Sequence, residues 1–531
     1  MLTPNQAPPE AYYQNNCVEL FAFTMDRYAD LLPRKVLSDV GCYLQASNSA
    51  QRLFARLLTR KRRFVRVDSL NYAEVANVTA AIAELADCGL VEVAPRTNAD
   101  AILPLLKKEE IHNAWPHLDK RSRKSDLVDK ILGSYSDQHI YKRLQTRLAW
   151  LAIADPASWD LMRLLYFGDE AQDWATFVLR DLGMTRYEEV PLDRRQFTDS
   201  AELGTFLEYR QLHHYAHRVS EHPALAAFLL DSLDQEVDNR FAERRRKRAV
   251  LHIGRRCEQA GLFTIAVRAY DTVRMHPARE RAVRVVAKMD GKQGCADRLE
   301  EIRRSPLSEE EAQFAERFGK RKAGFQPPTT IVDIQTPPVA VEAEALAMLI
   351  ANGGWGMHVE SGLVRTLTGL IYWPVLYAAV PGAFTNPFQI GPNDLVAEDF
   401  VDVRKALIDE IESATASDAA FVDQLYTTAC VKQGVTNALV NWQILERAQL
   451  LDIISAMPVE HMRRLTQFYI RNLNERRSGL PDLFVAYGPG DYEFVEVKGP
   501  NDQLQPGQRV WFRHLRELGI PARVLKLRLV R

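Results

Sequence analysis

Apolar side chains recur at mixed three- and four-residue spacing near the start of the chain. Leu20, Phe21, Phe23, Tyr28, Leu31 and Leu32 form one set, and Leu53, Phe54, Leu57 and Leu58 a second. This spacing predicts helices through 17–60. Val75, Val78, Ala81, Ile82 and Leu85 continue it as a helix-turn-helix, with Gly89 as a C′ residue and Leu90–Val93 extended. Residues 101–133 read as two short helices around the basic turn Asp119–Lys124, with Ser125 as N-cap of the second. The stretch 140–245 reads as all-helical, and 250–304 as alternating helices of about 14 residues with alanines and glycines at their crossings. Pro327-Pro328 and Pro337-Pro338 mark a domain boundary. Helices resume near 341–352, 360–372 and 403–414. The chain then changes period: Leu483–Tyr487 and Tyr492–Val497 alternate as strands, Gln505–Leu518 is helical, and Ala522–Val530 is a last strand.

Length and composition alter this picture little. A chain of 531 residues divides into roughly three or four domains of about 100–200 residues. A net charge of −1 offers no whole-molecule case for nucleic acid, so the placement of charge must carry it. That placement is uneven. Arg52, Arg56, Arg60, Lys61, Arg62, Arg63 and Arg66 lie in one stretch without an acid, and Lys120, Arg121, Arg123 and Lys124 occupy the basic turn. The run Arg244–Arg248 reads instead as a solvated helix face. Cysteines at 17, 42, 88, 257, 295 and 430 include no C-x-x-C pair, which argues against a zinc finger and a disulfide scaffold and fits a reducing compartment. His112, His117 and His358 share no zinc-like spacing. The first residues show neither a basic n-region nor an apolar h-region, so no signal peptide is expected. Leu363–Val380 is interrupted by Arg365 and Trp373-Pro374 and reads as a buried helix and a break, not a membrane span.

The chemistry concentrates in GLPDLFVAYGPGDYEFVEVKGPNDQ. Asp482 opens the first strand; Glu496 and Lys498, two apart on the next, share a face. A hairpin brings Asp482 beside them. Two carboxylates that close repel unless a cation lies between, and Mg²⁺ or Mn²⁺ suits such an oxygen donor set. The Val497 carbonyl is a further candidate ligand. A metal there would serve phosphodiester hydrolysis, with Lys498 at the attacking water or the developing charge.

The pattern P-D-x(13)-E-x-K resembles the PD-(D/E)xK nuclease superfamily. Its continuation, EVKGPNDQLQPGQRVWFRHLRELG, resembles the virus-type replication-repair nuclease (VRR-NUC) domain, in which a helical glutamine faces the metal; Gln508 holds that place here. Residues 250–304 resemble tetratricopeptide repeats, 101–133 a SAP unit, and RLFARLLTRKRRFVRVDSLNYAEV an N-terminal part of the Fanconi-associated nuclease family. That family's order of parts is similar to the whole chain. The resemblance implies a multidomain protein. Its N-terminal and middle parts would be all-α: residues 1–98 a helical DNA-binding domain with a winged-helix-like part, 99–135 the SAP-like unit, 136–243 a helical linker and 244–325 the repeats. Residues 326–531 would be an α/β PD-(D/E)xK nuclease domain.

The same resemblance matches Glu360, in GGWGMHVESGLVRTL, to a metal-binding glutamate that opens a helix. It implies a phosphodiesterase I type of nuclease with 5′-flap endonuclease and 5′-to-3′ exonuclease action, in DNA repair including interstrand crosslinks. The expected cofactor is one or two Mg²⁺ or Mn²⁺ ions. The expected partner is branched or flapped duplex DNA, gripped by Arg60–Arg63 and by Lys120, Arg121, Arg123 and Lys124. Vertebrate members carry a ubiquitin-binding zinc finger that this chain has no Cys/His pairs to build, which suggests a minimal bacterial, cytoplasmic and nucleoid-associated form with no membrane partner. A Holliday-junction resolvase and a catalytically silent DNA-structure-binding scaffold remain as alternatives. Symmetric cutting of four-way junctions would favour the first, and binding without cutting the second.

Overall fold

The computed structural model describes residues 12–60, 62–168, 186–192, 194–318, 325–447, 450–474 and 479–530. It falls into two compact units that divide between Thr185 and Arg186, inside the stretch assigned above to a linker.

In the first unit, helices Tyr12–Tyr28, Arg34–Gln45 and Asn48–Leu58 pack around Trp159 of helix Pro156–Phe167. Phe21 and Phe54 meet the Trp159 ring with centroids 5.1 and 4.8 Å apart, at angles that aromatic quadrupoles favour. Helix Val78–Asp87 is capped by Asn77, whose side chain accepts from the Ala80 amide, and is followed by Gly89 at φ +69°. The chain then enters a three-stranded antiparallel sheet of β1 (Phe64–Arg66), β2 (Val91–Val93) and β3 (Trp150–Ile153), ordered β1-β3-β2. The central strand therefore comes from the stretch expected to be all-helical, and the N-terminal part is not all-α. Trp150-Leu151-Ala152-Ile153 is a short apolar run with no alternation, because it is buried, and such a run carries no period to tell strand from helix. Between β2 and β3 lies a helical module with its own core of Ile102, Ile111, Trp115, Leu127, Ile131 and Ile140. Its basic turn leads into helix Lys124–Ser134, whose N-cap position is Arg123; Ser125 lies inside the helix and does not cap it.

The second unit begins with antiparallel helices. The expected helices of about 14 residues are instead Arg240–Gln259, Phe263–Asp271, Ala278–Gly294 and Ala296–Arg304, with 20, 9, 17 and 9 residues. At their first crossing, a Cβ on Gly254 would lie 2.7 Å from the Tyr270 ring, so only glycine allows the approach. The run Arg244–Arg248 is not a solvated face. Arg246 is fully buried, donates to the Leu233 carbonyl at 2.8 Å and pairs with Glu243. One helical turn before Arg244, Arg240 pairs with Asp394 and Asp399.

The C-terminal part is built on a five-stranded mixed sheet of β4 (Thr329–Ile334), β5 (Trp355–His358), β6 (Leu483–Gly488), β7 (Asp491–Lys498) and β8 (Ala522–Leu529), ordered β4-β8-β7-β6-β5. Strand β8 is parallel to both neighbours, while β5, β6 and β7 are antiparallel. Period-two alternation divides the side chains between two cores. Leu483, Val485, Val495 and Val497 face helix Val341–Leu349, together with its Ala345. Phe484, Tyr492 and Phe494 face the larger core, with Leu370, Tyr469 and Trp511. Asp482, Glu496 and Lys498 have the parity of the second set. The Leu363–Val380 stretch is buried as helix Gly362–Ile371 and a short helix at Trp373–Leu376, as expected. Among the described residues no helix is long and apolar enough to cross a membrane.

Candidate active site

The hairpin β6–β7 aligns Leu483 with Val495, which sets Asp482 against the end of β7. There the Asp482 Oδ2 accepts from the Val497 amide at 2.9 Å. On the same face the Lys498 ammonium lies 2.7 Å from Glu496 Oε1. Gln508, in the first turn of helix Pro506–Glu517, donates its Nε2 to that oxygen at 2.5 Å and accepts from the Gln505 amide through Oε1. Both ends of its amide are thereby fixed, and it holds the Glu496 carboxylate in one orientation.

Electrostatics mark the pair as strained. Glu496 is 1% exposed, and its Oε2 is buried without a hydrogen-bond partner. Burial, and then the Asp482 carboxylate, push Glu496 up to about 7, although Lys498 acts against them. Burial also raises Asp482, opposed by the Val497 amide and the Lys498 charge and reinforced by Glu342. An ionised buried carboxylate with an open oxygen beside a second carboxylate is costly alone and suited to a divalent cation. The donor set therefore fits a divalent cation that takes oxygen ligands.

The linkage has a definite sign. Between about 4.5 and about 7 the folded site holds a proton that the unfolded chain releases, so metal-free stability falls as pH rises across that window. A thermal melt in chelator from pH 5 to 8 is expected to show this decline in the native protein and not in Glu496→Gln. Parallel profiles would refute it.

Glu360 reaches the site through the backbone. His358 pairs with Leu483 across β5–β6, and the amides of Val359 and Glu360 both donate to the Asp482 carbonyl, at 2.8 and 3.1 Å. Glu360 sits at φ +41°, a conformation that costs a non-glycine residue about 1–2 kcal/mol and clusters at functional sites. It stands in the turn before helix Gly362–Ile371 and does not itself open the helix. Its side chain is exposed, and among the described residues no group of three His, Cys, Asp or Glu side chains is arranged to hold a metal. The structure thus joins Asp482, Glu496, Val497, Lys498 and Gln508, and brings Glu360 alongside by its main chain only. Glu342, on the first turn of helix Val341–Leu349, is an acid that the sequence did not single out. It precedes the recognisable strings, and only the closed sheet puts it near Asp482.

The basic clusters lie in the first unit. Arg60, Arg62 and Arg63 line a cavity of about 630 Å³ with Arg163, which the sequence likewise left unmarked. Lys61 lies outside the described residues. Arg56 and Arg66, in the same basic stretch, are bound by Glu74 and Glu110, each at 2.5 Å. Lys120, Arg121 and Arg123 are exposed. Lys124 donates to the Pro104 carbonyl at 2.8 Å, and partial burial and the Arg62 charge hold its ammonium below the ordinary value. The two expected DNA-binding clusters therefore converge where Arg62 and Lys124 approach each other.

Two family models match the chain: the VRR-NUC domain over 420–528 and the "FAN1, HTH domain" over 11–92. A Fanconi-associated nuclease 1 homolog of Pseudomonas aeruginosa is 29% identical, over 98% of this chain and 96% of its own. The chain is similar along its whole length to the Fanconi-associated nuclease family. It is a nuclease that hydrolyses phosphodiester bonds of DNA. A rice member of the family is 25% identical over 98% of this chain, which spans 63% of the rice protein. A crystal structure of paFAN1 bound to 2nt 5′flap DNA with gap covers 99% of this chain and 100% of its own, with a TM-score of 0.88 and 28% identity. A second, with a 1nt 5′flap, gives 0.86 at 28% identity over 98% of this chain and 100% of its own.

Proposed function

We propose that this nuclease is metal-dependent and cuts branched duplex DNA at a 5′ flap. The observation that carries the reading is half-buried Asp482 beside buried Glu496, with the open Glu496 oxygen and Lys498 next to it. Whole-chain likeness to a relative solved on 5′-flap DNA supports the substrate class. Asp482, Glu496, Glu360 and the Val497 carbonyl would hold one or two Mg²⁺ or Mn²⁺ ions. A bound ion supplies neutralisation of phosphate charge and a more acidic water. Lys498 holds its ammonium where it can donate to the attacking water or a non-bridging oxygen, and Gln508 keeps Glu496 turned toward the metal. Exonuclease action in the 5′-to-3′ direction and a part in interstrand crosslink repair extend the proposal through likeness to the family.

Residues Arg60, Arg62, Arg63, Lys120, Arg121 and Arg123 would grip the duplex by its phosphates, which position a protein without reading sequence. Neutralising Lys120, Arg121 and Arg123 together is expected to weaken binding and flatten the plot of log K against log salt, by ~0.9 for each phosphate that the turn no longer neutralises. An unchanged slope would remove this turn from the interface. The decisive test of the function compares the native protein with Asp482→Ala on a labelled 5′-flap in Mn²⁺, with a four-way junction alongside. Flap cutting by the native protein alone supports the reading. Binding without cutting by either, or symmetric cutting of the junction alone, overturns it.

A further inference from the structure

Beside Glu360 the nuclease domain carries a cavity of about 440 Å³ that the cleavage chemistry above leaves unused. One wall is the turn after β5 and the first helical turn beyond it, with His358, Glu360 and Arg365. The other is the loop Ala438–Ile444, with Asn441 and Gln443. Two glycines let that loop lie on the helix. A Cβ at Gly362 would fall 2.5 Å from Ile444 Cδ1, and one at Gly369 2.7 Å from Val440 Cγ2. Hydrogen bonds then lock it: the Asn441 amide donates to the Thr366 hydroxyl at 3.0 Å, and Arg365 Nη2 donates to the Ala438 carbonyl at 2.6 Å. The cavity is built from packed parts before any ligand arrives, which lowers the entropy cost of filling it.

Its walls offer donors. Arg365 is half-buried, commits one guanidinium nitrogen to the main chain and has no carboxylate partner among the described residues. A guanidinium presents five N–H groups in a fork that matches phosphate oxygens. The side-chain amides of Asn441 and Gln443 are exposed beside it. Glu360 is the one acid in the lining, and it stands where the cavity meets the proposed metal site. Phosphates follow one another along a strand. A strand whose scissile phosphate lies at Asp482, Glu496 and Glu360 carries a neighbouring phosphate toward Arg365.

We propose that this cavity binds a phosphate of the cleaved strand next to the scissile one, with Arg365 as the residue that positions it. The proposal rests on the flap-nuclease reading. A charge-assisted hydrogen bond of this kind corresponds to about a 10- to 100-fold change in kcat/KM when removed.

The test replaces single phosphates flanking the scissile bond by neutral methylphosphonates and compares native protein with Arg365→Gln in Mn²⁺. In the native protein, neutralising one flanking position lowers kcat/KM about tenfold or more. In Arg365→Gln that same change costs nothing further, while other positions cost both proteins equally. Losses that add at every position overturn the proposal, as does an Arg365→Gln variant with native kcat/KM. If Arg365→Gln melts early, Arg365→Lys takes its place, and sensitivity at the one position must shrink. Failure of the native protein to cut the unmodified flap is a separate result: it ends the flap reading and this proposal with it.

Discussion

Lys498→Ala is expected to slow flap cleavage by about 10²–10³-fold while leaving flap binding within a few-fold of native. The magnitude is that of removing one preorganised charge from a reacting centre. The ammonium lies 2.7 Å from Glu496 Oε1 on the same strand face, and its side chain is mostly buried. Removing it does two things at once. It takes a donor from the place where, in the proposed reaction, phosphate charge develops, and it takes a counter-charge from a carboxylate already pushed up to about 7. Arginine keeps the charge but brings a broad planar group into a tight space, so Lys498→Arg is expected to recover little. Single-turnover rates at saturating enzyme, with binding measured in Ca²⁺, separate the two effects. Weakened binding with a native single-turnover rate would assign Lys498 to substrate capture and overturn its place in the chemistry.

The largest effect on stability is expected from Asp394→Ala, at about 3–5 kcal/mol. Asp394 and Arg404 are both fully buried and face each other through two hydrogen bonds of 2.9 Å, and Arg240 reaches the same carboxylate. Burial alone would raise the Asp394 carboxyl. Its bonds to Arg404, and the charges of Arg404 and Arg240, outweigh burial and hold it below its ordinary value. Truncation strands a buried guanidinium that keeps, among the described residues, one hydrogen bond to the Val375 carbonyl and the Phe400 ring beneath it. A depressed carboxyl stabilises above its unfolded value and loses that contribution as pH falls through the folded one. The variant and native melts should therefore differ most near neutral pH and converge in acid. Equal melting temperatures at pH 7 would refute the assignment.

Local sequence carried most of the candidate site. Asp482, Glu496, Lys498 and Gln508 lie within one hairpin and the helix after it, where strand alternation and a helical turn suffice to bring them together. Glu360 is different. Only the pairing of β5 with β6 puts it beside Asp482, and that pairing spans the helical insertion between them. Family resemblance supplied what spacing could not. Charge runs misled in both directions. Arg244–Arg248 has the composition of a solvated face, yet Arg246 is buried because Glu243, one turn before it, and the Leu233 carbonyl receive it. Arg56 and Arg66 belong to a basic run, yet Glu74 and Glu110 farther along the chain bind them, and Asp68 also pairs with Arg66. Strand β3 escaped because a short, largely buried strand shows no alternation.

That strand bears on the order of folding. Among the described residues, strands β1 and β2 have no ladder with each other; each pairs with β3, which the chain supplies after the whole helical module. Closing so long a loop is entropically slow, whereas helices that pack on near neighbours form early. The module carries its own apolar core, and that core includes Trp150, the first residue of β3. Its collapse delivers the missing strand to the gap between the other two. The element that carries the basic turn is therefore also the scaffold on which the N-terminal sheet is completed. A lesion in its core would first be felt as slow or incomplete maturation of the entire N-terminal unit.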